Sequence, residues 1–333
     1  MNRSILRKNS KFFFALVLTV LFTVALVSTI LEIPSAINNF LLNIFPEYGA
    51  GEWSEATAML DSLRLIGYVS FAVTLILILV GFAAKKGWLT TLGSIALYLP
   101  TFGYFAFTMF FLAGIGVLRA LWFPLLDLSP NILRLGDIVY LPYFALAWLL
   151  SPIAWIAGIS VVDIYVLLSF IVMAFGLVIF FLSTLTWLYG KFKGFQVIDF
   201  WIYRCSRHPQ YLGFLLWSYG MLILATFTHA PRGGYIPPPS LLWLISALTN
   251  VGVALHEENV MAKKHGEKYS KYRDATPFIA PLPKRLSALT VAPLRALLKK
   301  NWPENRKEIA LAMTVYGAIL VALSLPSILL FLT

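Results

Sequence analysis

Long apolar runs constrain this chain more than any other feature of its sequence. An α-helix of about 18 to 20 apolar residues crosses the hydrocarbon core of a bilayer, whereas a transmembrane β-barrel would show short segments of alternating polarity. We therefore predict an all-α, polytopic helical membrane protein with about seven to eight apolar segments. The third run is too short for two full spans and predicts one long or kinked helix. The predicted segments are 12–31, 63–84, 88–126, 138–157, 161–189, 211–228, 241–255 and 309–332.

The composition agrees with a membrane protein. Hydrophobic residues make up 59% of the chain and charged residues 12%, where a soluble domain carries about 25% charged residues. The net charge of +11 comes from basic residues between the apolar runs. The positive-inside rule and anionic lipid explain these residues better than nucleic acid does. The single cysteine, Cys205, allows no internal disulfide, and the sequence shows no Cys/His cluster with zinc spacing. We expect a bilayer as partner, no nucleic acid and no metal.

The basic residues also predict an orientation. Lys85 and Lys86 follow the second run, and the stretch 256–307 carries twelve Lys and Arg against five acidic residues. Both features are typical of the cytoplasmic side. If five runs crossed the membrane before Lys191 from a cytoplasmic N-terminus, the basic stretch 256–307 would lie on the outer side, against the positive-inside rule. Either one segment does not cross or the N-terminus lies outside. Our candidate for the segment that does not cross is 138–157, because its two prolines suit a re-entrant or tilted piece.

A polar, cationic turn lies directly against the apolar run 211–228. It reads Arg207-His208-Pro209-x-Tyr211-x-Gly213. A bilayer tolerates such groups poorly, so they lie at its edge or are held by protein or ligand. The runs 211–228 and 241–255 predict a helical hairpin, which returns the chain to the same face before Glu257 and Glu258. Two adjacent carboxylates are costly unless a cation meets them, so we expect the turn and the pair to form one site.

The polar stretch after the glutamate pair predicts two short helices. The first covers 256–265 with Gly266 as its stop, and the second covers 267–274. The second helix places Tyr269 and Tyr272 on one face, because they are three residues apart. Thr276-Pro277 should end it.

The remaining stretches are assigned by composition. The segment 284–300 mixes leucines with basic residues, which predicts a helix lying on anionic lipid and broken near Pro293. We divide the chain into N-terminal helices of unassigned role over 1–160, a core over 161–283, and an interfacial segment with a final span over 284–333.

Taken together, the motifs resemble the isoprenylcysteine carboxyl methyltransferase and phospholipid methyltransferase superfamily. The resemblance covers about residues 165–283 and rests on the order of the R-H-P-x-Y turn, the hairpin, the E-E pair, H-G-x-x-Y-x-x-Y and T-P. The chain departs from the family at Trp201-Ile202, where Gly-Pro is common, and before the glutamate pair, where an Arg is common.

The resemblance implies an integral-membrane methyltransferase that uses S-adenosylmethionine at the cytoplasmic face. The acceptor would be lipid-borne or lipophilic: the carboxylate of a prenylated cysteine, or a lipid amine. Arg207 and His208 would meet the cofactor carboxylate, and Glu257 or Glu258 its amine or ribose. An amine acceptor must lose a proton, so Glu258 or His208 would act as base. The implied catalytic residues are Arg207, His208 and Glu258, and the implied cofactor-binding residues are His208, Pro209, Tyr211, Gly213, Glu257, Glu258, Tyr269 and Tyr272.

Two alternatives belong to other classes. A membrane reductase of the sterol-reductase type would use NADPH, although a phosphate-bearing cofactor would prefer Arg or Lys where Glu257 and Glu258 stand. A non-enzymatic membrane protein would keep the scaffold alone.

Overall fold

The computed structural model describes residues 3–41, 53–102, 111–112, 115–129, 131–227 and 240–330. These residues are almost entirely helical, apart from one antiparallel pair of two-residue strands, β1 (Phe111–Leu112) and β2 (Ile115–Gly116). The helices are α1 Arg3–Leu41, α2 Trp53–Ala83, α3 Gly87–Phe102, α4 Phe123–Leu126, α5 Leu141–Ala157, α6 Val161–Lys193, α7 Pro209–Phe227, α8 Ser240–Ala275, α9 Lys284–Leu298 and α10 Arg306–Leu330.

The predicted fold class, an all-α polytopic membrane protein, is confirmed. Within the described ranges, six stretches are long and apolar enough to cross a membrane: Ser10–Ser28, Asp61–Ala83, Asp137–Ala157, Asp163–Lys193, Ser240–Ala275 and Arg306–Pro326. In five of them only 11 to 22% of the apolar window is buried, whereas in α8 the figure is 56%. Such exposure of apolar helices suits lipid rather than water. α8 is therefore the most enclosed of the six helices.

The prediction of one long helix over 88–126 is wrong. α3 ends at Phe102, and after 103–110, which lie outside the described residues, the chain forms the β-pair, a 3₁₀ turn over Val117–Trp122 and α4. Tertiary packing overrides the apolar pattern here. Trp122 is fully buried and donates its Nε1–H to the carbonyl of Leu97 at 2.9 Å. A Cβ on Gly67 would lie 2.2 Å from the carbonyl oxygen of Ala120, so this glycine lets the irregular segment pack against α2.

The end of the same segment returns to α2. Its end, Asp127, pairs with Arg64 and accepts a hydrogen bond from Tyr68 at 3.0 Å. Arg64 is about 30 Å along the helix direction from Lys85, which follows the other end of α2. The segment that starts at Gly87 thus contacts α2 again at Arg64, about 17 Å along the helix from its first residue, Trp53.

The course of 138–157, for which we predicted a re-entrant or tilted segment, stays a prediction. By length and composition alone Asp137–Ala157 is able to span, but its contacts with α6 are not those of an antiparallel hairpin. The hydroxyl of Tyr143 donates to the carbonyl of Tyr165, and the two ring centroids are 5.5 Å apart. Tyr143 is ~21 Å along α5 from its end, whereas Tyr165 is only ~6 Å into α6. At this contact α5 therefore does not run antiparallel along α6.

The chain forms two compact units built from interleaved stretches. Unit 1 comprises Met1–Val27, Val172–Ser218 and Ala254–Tyr316; unit 2 comprises Ser28–Ile171, Tyr219–Val253 and Gly317–Thr333. Every residue predicted for the site belongs to unit 1. The division into 1–160, 161–283 and 284–333 stays a prediction.

Two expectations for the polar C-terminal region have different outcomes. Gly266 breaks α8 with φ 51° and ψ −129°, so the predicted stop between two helices is confirmed. The predicted break near Pro293 is wrong, because α9 continues through this proline. Packing holds both sides of it: Leu294 is buried, and the hydroxyl of Tyr316 donates to the carbonyl of Thr290. The predicted connection over 229–240 lies outside the described residues except for Ser240.

Candidate functional site

The R-H-P turn is shaped by the segment between α6 and α7. Gly194, at φ +78°, ends α6, and a 3₁₀ turn over Trp201–Arg204 follows. The buried hydroxyl of Ser206 accepts the backbone N–H of His208 at 3.2 Å. Pro209 then begins α7, a position where its fixed φ suits a helix and its missing N–H costs nothing. Pro209 therefore sets the direction of His208 into the site.

Backbone hydrogen bonds join this turn to the Thr276-Pro277 segment. The N–H of Arg207 donates to the carbonyl of Pro277 at 3.0 Å, and the N–H of His208 donates to that of Phe278 at 3.2 Å. Thr276 also ends the second short helix through its N–H to the carbonyl of Tyr272. The T-P motif thus holds the turn as well as ending a helix.

Glu258 is the centre of a buried ionic network. Its side chain is 0% exposed. Oε1 lies 2.9 Å from His208 Nε2 and accepts the hydroxyl of Tyr269 at 2.5 Å, while Oε2 lies 3.2 Å from a guanidinium nitrogen of Arg207. Burying a carboxylate is costly unless it is paired and hydrogen-bonded, and all three partners favour its charged form. An ionised carboxylate can only accept a hydrogen bond, so we assign the proton of the His208 imidazole to Nε2.

Arg207 is almost as completely enclosed as Glu258, with 5% of its side chain exposed. Its guanidinium lies over the rings of Phe278 and Trp302, 5.7 and 5.3 Å from their centroids, and donates to the carbonyl of Arg273 at 3.0 Å. Burial lowers the pKa of Arg207 from its ordinary value, and the carboxylate of Glu258 opposes that shift. An arginine held in this way positions Glu258 and His208. It is not a free cation.

Glu257 has the opposite environment, although it is the adjacent residue. Consecutive residues of a helix point about 100° apart, and the side chain of Glu257 is 50% exposed. The hydroxyl of Tyr211 donates to its Oε1 at 3.0 Å, and its Oε2 lies 3.8 Å from His208 Nδ1. His208 thus has one ring nitrogen toward each glutamate.

Glu257 opens into a cavity of about 690 Å³, counted with the solvent at its mouth. Of the predicted site residues, Arg207, His208, Tyr211, Glu257, Tyr269 and Tyr272 line it. Pro209, Gly213 and Glu258 are not among its lining residues.

Gly213 has a packing role. A Cβ at this position would lie 2.5 Å from the backbone nitrogen of Phe180 and 2.9 Å from the carbonyl oxygen of Gly176. The two glycines let α6 and α7 approach closely within unit 1. This contact holds α7, and with it the R-H-P turn, against α6.

Six polar or large residues that sequence reasoning missed also line the cavity. Lys191 is exposed, and its ammonium lies 5.6 Å from the ring centroid of Trp187. The backbone carbonyl of Tyr203 accepts a hydrogen bond from the hydroxyl of Tyr272 at 2.7 Å. Burial raises the pKa of the Tyr203 phenol. Lys191 was interpreted as a marker of membrane side, because its position in the charge pattern explained it without a site. The missed residues are Trp187, Lys191, Gln196, Tyr203, Gln210 and Met261.

Comparison with known proteins gives one match. Residues 190–276 match a family described as a protein of unknown function (DUF1295). No curated protein and no solved structure matches the chain. The matched stretch contains the R-H-P turn, the glutamate pair and both tyrosines, but ends before Phe278 and Trp302, which enclose Arg207.

Proposed function

We propose that this chain is an integral-membrane methyltransferase that uses S-adenosylmethionine and acts on a lipid-borne or lipophilic acceptor. The observation that carries the proposal is Glu257, an accessible carboxylate on the wall of an aromatic-lined cavity. His208 and Tyr211 orient this carboxylate, and the buried network at Glu258 fixes His208. The sequence resemblance to membrane methyltransferases supports the same conclusion independently.

The lining of the cavity fits the groups that the cofactor presents. The cofactor has an amine and ribose hydroxyls, for which the Glu257 carboxylate is a suitable acceptor. It has an adenine ring, which can pack on the rings of Trp187, Tyr211 or Tyr269. It also has a carboxylate, which needs a cation. Because Arg207 is already paired with Glu258, we assign that role to Lys191, the other cation lining the cavity.

The residues act by binding and positioning. When bound, the cofactor supplies an electrophilic methyl carbon whose bond to sulfur breaks as an acceptor oxygen or nitrogen bonds to it. Aromatic side chains on the cavity wall exclude water, and oriented polar groups hold the reactants in line. A carboxylate acceptor needs no base. For an amine acceptor, His208 lines the cavity and is the better candidate base, because Glu258 is enclosed by Arg207, His208 and Tyr269.

The distribution of basic residues supports a cytoplasmic cofactor site. If α5 does not cross, four crossings precede Lys191, and a cytoplasmic N-terminus then places Lys85, Lys191 and the basic stretch 256–307 on one side. The check is cysteine labelling in a background without the exposed Cys205. We expect cysteines introduced at 85–87 and 191–194 to be labelled from the same side. Labelling from opposite sides would contradict this topology.

The reductase alternative fits the cavity less well. A nicotinamide dinucleotide carries several phosphates, which need cations. Of the cations lining this cavity, Arg207 is paired with Glu258, which leaves Lys191 beside the acidic Glu257. The charge balance therefore favours a zwitterionic cofactor.

One thermal-unfolding experiment separates the three functions. A ligand at 100 times its Kd stabilises the folded protein by about 2.7 kcal/mol. We expect S-adenosylhomocysteine to stabilise the purified protein in detergent, and NADPH to have no effect. The Glu257→Gln variant should lose the stabilisation by the ligand, while its own unfolding midpoint without ligand should fall by no more than a few degrees. Stabilisation by NADPH alone would favour the reductase, and none by either ligand would favour the scaffold.

The acceptor requires a second experiment. Membranes containing the protein would be incubated with cofactor carrying an isotope-labelled methyl group, and their lipids analysed by mass spectrometry. We expect label in a lipid carboxyl ester or a lipid amine, and none with Glu257→Gln. A folded protein that binds the cofactor but labels no lipid would contradict a lipid acceptor.

A further inference from the structure

A second pocket lies beside the end of α6, within unit 1. Its lining residues are Tyr189, Lys193, Phe195, Phe200 and Trp201, and its volume is about 570 Å³ counted with the solvent at its mouth. None of these residues lines the Glu257 cavity. The pocket therefore has no part in the proposed methyl transfer.

The rings of this pocket are ordered by mutual packing. Tyr189 and Trp201 stack with centroids 5.3 Å apart and planes 13° apart. Phe200 packs edge-on against Trp201 at 5.4 Å and lies 5.4 Å from Phe195. Phe195 and Trp201 nevertheless remain 48% and 50% exposed. Phe12 of α1 packs edge-on against Tyr189 and Trp201, with centroids 6.0 and 6.4 Å away, so the pocket presents an ordered aromatic surface that is about half exposed at Phe195 and Trp201.

Trp201 is held in a backbone conformation that side chains rarely adopt. Its φ is +51°, a conformation that costs roughly 1 to 2 kcal/mol for a residue with a Cβ. In the described ranges two other non-glycine residues have positive φ, Lys85 and Lys299, and both directly follow a helix. Trp201 instead begins a 3₁₀ turn. Its strained backbone accompanies a ring that is stacked on Tyr189 and half exposed in the pocket.

Lys193 gives the pocket its charge. Its ammonium lies 5.5 Å from the ring centroid of Tyr189, and within the described part of the chain it has no carboxylate partner. It is the one charged residue among the five that line the pocket. It is also the last residue of the apolar stretch Asp163–Lys193, where a membrane-spanning helix reaches the lipid headgroups.

We propose that this pocket binds the headgroup of a zwitterionic phospholipid. The anion at this level of a bilayer is the lipid phosphate, and Lys193 is placed to pair with it. The ammonium group of such a headgroup follows the phosphate by a few bonds. It would then rest on the exposed rings of Phe195 and Trp201, because cation–π attraction recognises quaternary ammonium groups. The pocket would fix one lipid next to α6 whether or not the chain is a methyltransferase.

The test uses the full chain in a phosphate-free neutral detergent. A short-chain phosphatidylcholine would be titrated below its micelle concentration while binding is followed by calorimetry. Phosphatidylglycerol of the same chain length lacks the ammonium, and inorganic phosphate lacks the lipid. We expect saturable binding of phosphatidylcholine, with phosphatidylglycerol about five-fold weaker and inorganic phosphate weaker still.

Variants connect the binding to the pocket. Lys193→Gln should weaken phosphatidylcholine binding about five-fold to ten-fold, whereas Lys264→Gln, which removes an exposed charge on α8, should not change it. Phe195→Leu changes an exposed ring and should reduce the preference for choline without unfolding the chain. Equal binding of phosphatidylglycerol, or unchanged affinity in Lys193→Gln, would overturn the proposal.

Discussion

Replacing Glu258 with glutamine should destabilise the protein strongly. The substitution keeps the side-chain volume but leaves the guanidinium of Arg207 buried without a counter-charge. Removing one partner of a buried ion pair costs about 3 to 5 kcal/mol. The rings of Phe278 and Trp302 still contact the guanidinium, and a desolvated cation–π contact is worth about 2 kcal/mol. We therefore expect the free energy of unfolding to fall by about 3 kcal/mol, near the lower limit of that range.

The adjacent glutamate provides a matched control. Glu257→Gln makes the same chemical change one residue earlier, but there it weakens a single hydrogen bond from Tyr211 at a half-exposed side chain. That loss should be about 1 kcal/mol or less. Reversible unfolding of both variants in mixed micelles, followed by tryptophan fluorescence, gives the two free-energy changes directly.

The two variants should rank in the opposite order when their affinity for the ligand is measured. Glu257→Gln should lose affinity for S-adenosylhomocysteine, whereas the folded fraction of Glu258→Gln should keep most of it. Replacing Arg207 and Glu258 together with apolar residues should recover most of the stability, because a well-packed apolar pair often substitutes for a buried ion pair. If the two single variants differ in stability by less than about 0.5 kcal/mol, the assignment of Glu258 as a buried structural charge is wrong.

Three further predictions concern single residues. Lys191→Gln should weaken S-adenosylhomocysteine binding about ten-fold in calorimetry but leave methylthioadenosine, which lacks the carboxylate, unchanged; equal losses for both would contradict its role. Gly266→Ala should cost about 1 to 3 kcal/mol in unfolding experiments, because no alanine fits φ 51° and ψ −129° without strain; a neutral result would refute the break. Gly213→Ala should cost about 1 to 3 kcal/mol, because its Cβ would lie 2.5 Å from Phe180 N. Gly317→Ala on α10 serves as the comparison, because its Cβ would meet only the end of the Leu248 side chain, at 3.3 Å; an equal loss there would contradict the close contact at Gly213.

The sequence predicted the two halves of the site well because the information was local. Arg207-His208 lies just before one apolar run, Glu257-Glu258 just after the next, and a hairpin of two spans must return to its starting face. The structure brings these residues together, with His208 Nε2 2.9 Å from Glu258 Oε1. The break at Gly266 was predictable for the same reason, because a glycine between two helical patterns indicates a backbone conformation that other residues rarely adopt.

What the sequence left undecided depended on orientation and on distant contacts. The sequence alone does not distinguish Glu257 from Glu258. In the structure Glu257 is open to the cavity, whereas the side chain of Glu258 is completely buried. Trp302, which covers Arg207, lies 95 positions further along the chain and outside every motif. No local pattern connects such a residue to the site.

The apolar runs by themselves determined that the chain is an all-α membrane protein, because a spanning segment must satisfy its own backbone hydrogen bonds. The apolar pattern did not determine the course of 88–126, because protein contacts replace the regular helix there. Tertiary structure also decided which charges of the R-H-P and E-E motifs are structural and which are accessible. Burial and pairing depend on all the surrounding elements at once, and a single stretch of sequence does not contain them.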